Sequence, residues 1–230
     1  ADKDPDLNLK QAILPLEYLR KALIKYPKDI RLVFASTATV YGVNPPLPTS
    51  ERQFASPVTI YDLHKIYAEE YLQFLNYSSS LNSLSLRLSN VYGPSNNPSS
   101  SIDRGVLNQI TDRLRKGEKI TLYGGGKYLR DYIFIEDLVD AFVRAGIQSQ
   151  NKFNCFNICS GESITLRDAF LLVAKELKVS SENIVDSDWP KDINMIEKRN
   201  FKGSNKLFKK EFLWKPKTSF QAGIQKLINL

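Results

Sequence analysis

Apolar residues recur at helical spacing along "LNLKQAILPLEYLRKALIKYP", which predicts a helix over roughly 5–25, with Pro15 as a kink or a tolerated break. "DIRLVFAST" follows, and its continuous run from Leu32 to Ala35 predicts a buried strand. The proline-rich "YGVNPPLPTSERQFASP" reads as loop. From Tyr61 to about Tyr77 the spacing is helical again, with Tyr67, Tyr71 and Leu72 on the apolar side. "LNSLSLRLSNVYGP" predicts a strand closed by Gly93 and Pro94, and the polar "SNNPSSSIDRG" a loop long enough to carry a function.

"VLNQITDRLRKG" predicts an amphipathic helix ended by Gly117. "KITLYGGGKYLRDYIFI" predicts two short strands around a glycine turn, and "EDLVDAFVRAGIQ" a helix with Glu136 and Asp137 at its positive end. "FNCFNICSGESITLRDAFLLVAKEL" predicts strand, turn and helix, with Thr165 as N-cap. Strands alternating with helices predict an α/β fold with a parallel sheet, and the shorter strands of the second half predict a smaller α+β lobe. No internal repeat is visible.

Composition changes this picture little. A chain of 230 residues can bury a sizeable core as one domain or two. It has no run of about 18 apolar residues and a polar N-terminus without a signal-peptide pattern, so a soluble cytoplasmic protein with no membrane partner is expected. On a strand, Cys155 and Cys159 would lie about 13 Å apart, too far for a disulfide and without the histidine company of a zinc site. They read as buried structural thiols, and no metal is expected. The net charge of +7 is concentrated in residues 191–230, where ten cations face three acidic residues. That region lacks a nucleic-acid motif, so a solvated lysine-rich surface or an anion-binding region is expected rather than a nucleic-acid partner.

Four segments carry the candidate chemistry: "FASTATVYG" (34–42), "YDLHK" (61–65), "RLSNVYGP" (87–94) and "LYGGGKYLRDYIFIEDLVDA" (122–141). Four residues apart on a helix, Lys65 can approach Tyr61; a free tyrosine has a pKa of about 10, and a nearby cation favours its phenolate. That would make Tyr61 a proton acceptor near neutral pH. Arg130 has the forked guanidinium that suits a diphosphate.

In this order and spacing the four segments resemble the extended short-chain dehydrogenase/reductase superfamily, in its NAD-dependent nucleotide-sugar epimerase/dehydratase branch. The resemblance implies a partial Rossmann-like, doubly wound parallel sheet with a smaller α+β substrate-binding lobe. Residues 1–95 would be the later part of the NAD-binding domain and 96–230 mainly the substrate lobe, with about 130–160 returning to the first domain. It further implies Tyr61, Lys65 and Thr37 as catalytic residues, and Tyr61, Lys65, Asn8 and Ser89 as contacts to NAD. Thr37, Asn90, Arg130 and Arg199 would bind the substrate, a nucleotide sugar and most simply a UDP-sugar. Ser36 should point to the other side of its strand from Thr37. Asp131 and the lone histidine, His64, are expected to be structural neighbours.

"ATVYG" is the wording of 4-epimerases of the UDP-glucose/UDP-galactose type, whereas dehydratases of this branch carry an Asp-Glu pair where Ala38 and Thr39 stand. The resemblance therefore implies an isomerase working by transient oxidation at C4, and allows a homodimer of the complete protein. Alternatives are a non-catalytic module that binds a sugar nucleotide or a partner, a nucleotide-sugar dehydratase or decarboxylase, and a basic nucleic-acid binder. The family's opening strand and glycine-rich turn have no match, since no glycine precedes Gly42. Roughly 80 residues, two to three units at the ~30-residue scale of βαβ pieces, would be absent, and this chain alone would be inactive.

Overall fold

A computed structural model describes residues 4–23, 30–78, 81–94, 105–148 and 155–229. The polar loop expected over 95–104 lies outside them. Asp4 accepts the Leu7 N–H at 2.9 Å and opens α1 (Pro5–Ala12), with proline in the first turn, where its missing N–H costs nothing. The single helix expected over 5–25 is two: the chain breaks at Ile13 and resumes as α2 (Leu14–Leu23). Pro15 falls in the first turn of α2, the one place where its ring and lack of a donor are tolerated.

β1 (Arg31–Thr37) leads through a short turn of 3-10 helix at Ala38–Tyr41 and an irregular segment to α3 (Ile60–Ser78). β2 (Asn82–Leu88) and β3 (Asn90–Tyr92) follow. Among the described residues β1, β2 and β7 (Cys155–Ile158) form a three-stranded sheet in that order, all parallel. β1 is only partly buried, not the enclosed strand its apolar run predicts, because β2 alone pairs with it among the described residues. On α3 the inward stripe is Ala68, Leu72 and Leu75, with Tyr71 partly covered. Tyr67, expected inward, is half exposed, since it lies one residue, or about 100°, off that stripe.

The second half is built around α4 (Val106–Arg115), which ends before Gly117 at φ +71°. β4 (Ile120–Tyr123), β5 (Leu129–Arg130) and β6 (Tyr132–Phe134) come next, three short strands where two were expected. Asp131 separates the last two, so that β6 pairs in parallel with β3 while β5 runs antiparallel to β8 (Ile164–Thr165). α5 (Ile135–Ile147) packs against β1 and sends the chain back to β7 in the first sheet.

Thr165 accepts the Asp168 N–H at 3.1 Å and starts α6 (Leu166–Leu177), as its sequence predicts. β9 (Ile184–Ser187) pairs in parallel with β4, and α7 (Lys206–Phe212) and α8 (Phe220–Ile228) complete the chain. The architecture is α/β with a Rossmann-like parallel sheet. No helix among the described residues is long and apolar enough to cross a membrane.

Among the described residues two large cores, with smaller clusters around Tyr41 and Leu72, hold these layers. One lies beneath α4, α6 and α8 and includes Tyr92, Leu107, Leu114, Phe170 and Ile224. The other joins the first sheet to α5 and α7 through Leu84, Leu86, Phe156, Phe208, Phe212 and Trp214. Phe156 is fully enclosed, its ring edge-on to Phe208 at 5.6 Å and to Phe212 at 5.2 Å. Phe156→Ala is expected to destabilise the fold by about 3–5 kcal/mol, whereas Phe54→Ala at an exposed loop position should change it by less than about 0.5 kcal/mol. Chemical denaturation midpoints measure both.

Candidate active site

At the end of β1 two neighbouring hydroxyls leave on opposite sides, as strand alternation predicts. Ser36 donates to the buried Glu69 of α3, which also holds Arg87 of β2 at 2.6 and 3.1 Å. Arg87 lies in turn over the ring of Tyr41, whose hydroxyl donates to Asn157 at 2.7 Å. This buried ion pair joins α3 to β2 and fixes the helix that carries the motif.

Thr37 faces the other way. Its Oγ1 accepts the Thr39 N–H at 3.2 Å and lies 2.8 Å from Thr39 Oγ1. The Thr39 hydroxyl then donates to Asp62 Oδ1. Asp62 sits in the first turn of α3 beside Tyr61 and is 1% exposed. Tyr61 itself is 41% exposed, so its ring is open to the surface of the site. One turn on, the Lys65 ammonium lies 5.6 Å from the Tyr61 ring centroid and 4.8 Å from that of Phe34. It donates to the Ala35 carbonyl at 2.8 Å. Burial pushes the Lys65 ammonium below its usual range, and Glu69 partly restores it. The structure thus brings Tyr61, Lys65 and, through Thr39 and Asp62, Thr37 to one end of β1.

His64 is buried, and its Nδ1 meets Asn8 Oδ1, tying α1 to α3. Asn8, the sequence's candidate for a cofactor contact, therefore meets α3 at the residue before Lys65, with its carbonyl oxygen engaged by the histidine. Ser89, in the link between β2 and β3, donates its N–H to Ile158 and keeps its buried Oγ without a partner among the described residues.

Asn90 gives both its N–H and its side-chain amide to the Asp131 carbonyl, each at 3.0 Å. It lines a cavity of about 410 Å³ with Tyr92, Val106, Arg130 and Glu197. Gly105 and the first residues of α4 form one wall, and the N-cap glycine supplies no side chain to that positive helix end. Arg130 is buried, and its fork donates to the Leu129, Glu197 and Arg199 carbonyls. It is also the wall shared with a second cavity of about 450 Å³, lined by Ser160, Ser163, Lys217 and Phe220.

Arg199 is 4% exposed, stacked 5.2 Å over Phe201, and its Nη1 has no partner among the described residues. Burial, and then the like charge of Arg130, pull its guanidinium down to about 10; Asp62 opposes both. Asn90 and Arg130 therefore line one cavity, Arg199 stands behind it with its carbonyl held by Arg130, and its charge links it to Asp62 of α3.

Sequence reasoning passes over Asp62, Thr39, Glu69 and Arg87. Asp62 and Glu69 fall seven residues apart, on the same inward face as Leu72, where a carboxylate is out of place unless it serves a partner. Both cysteines are free, with burial pushing their thiols up and so away from reactivity. Among the described residues no group of His, Cys, Asp or Glu side chains could hold a metal ion.

Comparison with known proteins places this geometry. The profile of the NAD dependent epimerase/dehydratase family matches residues 6–159. A Methanocaldococcus jannaschii protein provisionally named UDP-glucose 4-epimerase is 29% identical over 98% of this chain and 69% of its own length. An Escherichia coli dTDP-4-dehydro-6-deoxyglucose reductase is 32% identical over 86% of this chain and 60% of its own. In crystal form, the UDP-glucose 4-epimerase of Thermotoga maritima with UDP-glucose superposes with a TM-score of 0.88 at 28% identity, over 99% of this chain and 71% of that one. The chain thus spans about 60–70% of the relatives it matches.

A buried cation whose nitrogen lacks a partner is a local cost that a bound anion would remove. Arg199→Met, which keeps the stacking volume, is expected to raise unfolding free energy by about 1–3 kcal/mol in the absence of ligand. Denaturant titration measures it, and a loss of stability would contradict this picture of Arg199.

Proposed function

This chain belongs to the NAD dependent epimerase/dehydratase family, and from that premise we propose that it supplies the substrate-binding and acid/base residues of a UDP-sugar 4-epimerase. The observation that carries the reading is the pairing of Lys65 with Tyr61 beside Thr37, next to a cavity bounded by Asn90, Arg130 and the start of α4.

Tyr61 takes the proton of the sugar hydroxyl that is oxidised and later returns it; the neighbouring Lys65 ammonium favours the phenolate that does so. Thr37 binds the sugar at the same end of β1. The diphosphate lies in the cavity of about 410 Å³, against the positive end of α4 and the side chains of Asn90 and Arg130, with the buried charge of Arg199 behind them. Tyr61 and Lys65, with the buried Ser89 Oγ that has no partner among the described residues and with Asn8, would hold the ribose of NAD. NAD, when bound, supplies the hydride acceptor and then the hydride donor. Between the two transfers the 4-keto sugar would turn and present the opposite face of C4 to the returning hydride, while Tyr61 gives its proton back to the C4 oxygen. Ala38 and Thr39 provide no carboxylates for an elimination, which favours epimerase over dehydratase chemistry.

UDP-glucose is expected to bind this chain in calorimetric titration, with Tyr61→Phe changing the affinity less than about threefold, because one hydroxyl contributes only about 0.5–1.5 kcal/mol. Turnover is read after grafting this chain in place of the equivalent segment of the Thermotoga maritima enzyme. There Tyr61→Phe should slow conversion of UDP-glucose to UDP-galactose by at least about 10²-fold. A Tyr61→Phe graft as fast as its parent, or no UDP-glucose binding by the chain, would overturn the reading.

A further inference from the structure

The hydroxyl relay from Thr37 to Asp62 has a direction. A carboxylate only accepts hydrogen bonds, so the Thr39 hydroxyl commits its one proton to Asp62 Oδ1. Thr39 Oγ1 then has no proton left for its 2.8 Å contact with Thr37 Oγ1, and Thr37 must be the donor there. One of the two lone pairs of Thr37 takes the Thr39 N–H at 3.2 Å. What remains toward the site is one lone pair and no proton.

We infer that Asp62 and Thr39 are specificity-determining positioning residues that hold Thr37 as a hydrogen-bond acceptor, so that the sugar group it meets must be a donor hydroxyl. This rests on the proposed reading that a sugar lies against Thr37. Asp62 is suited to the task because it is almost wholly buried in the turn that also carries Tyr61, so water does not compete for the Thr39 proton. A deoxy or fluoro group at the same sugar carbon offers Thr37 no proton and leaves a desolvated lone pair unpaired, which a site built for a hydroxyl rejects strongly. A carbonyl is rejected for the same reason. Once the sugar hydroxyl facing Thr37 becomes a ketone its tether is lost, and the ring is free to turn.

The test is calorimetric binding of UDP-glucose and of its 3-deoxy-3-fluoro and 4-deoxy-4-fluoro analogues, in which fluorine accepts but cannot donate. For the unaltered chain, at least one analogue is expected to bind about tenfold more weakly than UDP-glucose, the scale of one lost hydrogen bond. Thr39→Val frees the Thr37 proton and should shrink that penalty below about threefold, while Thr39→Ser keeps the relay and the penalty. Asp62→Ala should act like Thr39→Val, and affinity for UDP itself should be unchanged in every variant that retains the wild-type circular dichroism spectrum. A penalty that survives in Thr39→Val, that vanishes equally in Thr39→Ser, or that is absent from the unaltered chain would overturn the inference. Failure of UDP and UDP-glucose to bind at all would instead overturn the functional reading on which it rests.

Discussion

The candidate site depends on one buried carboxylate. Asp131 has no exposure to solvent, and its oxygens accept the Ser160 and Gly161 N–H groups, the Ser160 hydroxyl and the Gly203 N–H at 2.8–3.1 Å. Burial pushes its carboxyl up, and the Ser160, Gly203 and Gly161 bonds pull it back. Those donors come from two separate stretches, the turn after β7 and the approach to α7. The backbone carbonyl of the same residue receives both amide groups of Asn90. Its neighbour Arg130 clamps the Glu197 and Arg199 carbonyls. Asp131 and its neighbour Arg130 therefore fix the start of β3, the start of β6 and the segment that carries Arg199. Leaving any of these donors unpaired in the interior would cost on the order of 1–3 kcal/mol, which keeps the cavity walls in register.

The same arrangement concentrates positive charge where water is scarce. Arg130 and Arg199 are both pulled below the ordinary guanidinium range by burial, and Arg199 also by its neighbour. Protein interiors tolerate such groups when a ligand or partner completes them. Arg130 is largely satisfied by backbone carbonyls, whereas Arg199 keeps a nitrogen unpaired among the described residues. Of the two, Arg199 stands to gain more from an anion, although its sequence context marks it less clearly than that of Arg130.

Much of the fold was legible in the sequence because hydrophobic periodicity reports burial directly. The helices of Ile60–Ser78, Val106–Arg115 and Ile135–Ile147 and the Thr165 cap lie where their patterns put them, whereas the single strand expected up to Gly93 is two, Asn82–Leu88 and Asn90–Tyr92, paired in different sheets. What periodicity misses is set by partners distant in sequence. The break at Asp131 depends on donors from Ser160 to Gly203, and the half-buried state of β1 depends on what lies beside it in the sheet. The motif residues Tyr61, Lys65, Thr37, Asn90 and Arg130 could be named from spacing and resemblance. Asp62 could not be given a role, because its inward helix position announces a partner without saying that the partner is Thr39.

The most direct measurement is a crystal structure of the chain soaked with UDP-glucose. The pyrophosphate is expected in the cavity of about 410 Å³, within hydrogen-bond reach of Asn90 or Arg130 and against the start of α4. The glucose ring should then extend toward β1, with hydroxyls in contact with Thr37 Oγ1 and Tyr61 Oη. A pyrophosphate seated instead in the cavity beyond Arg130, beside Lys217 and Ser163, with the sugar away from Tyr61, would contradict it.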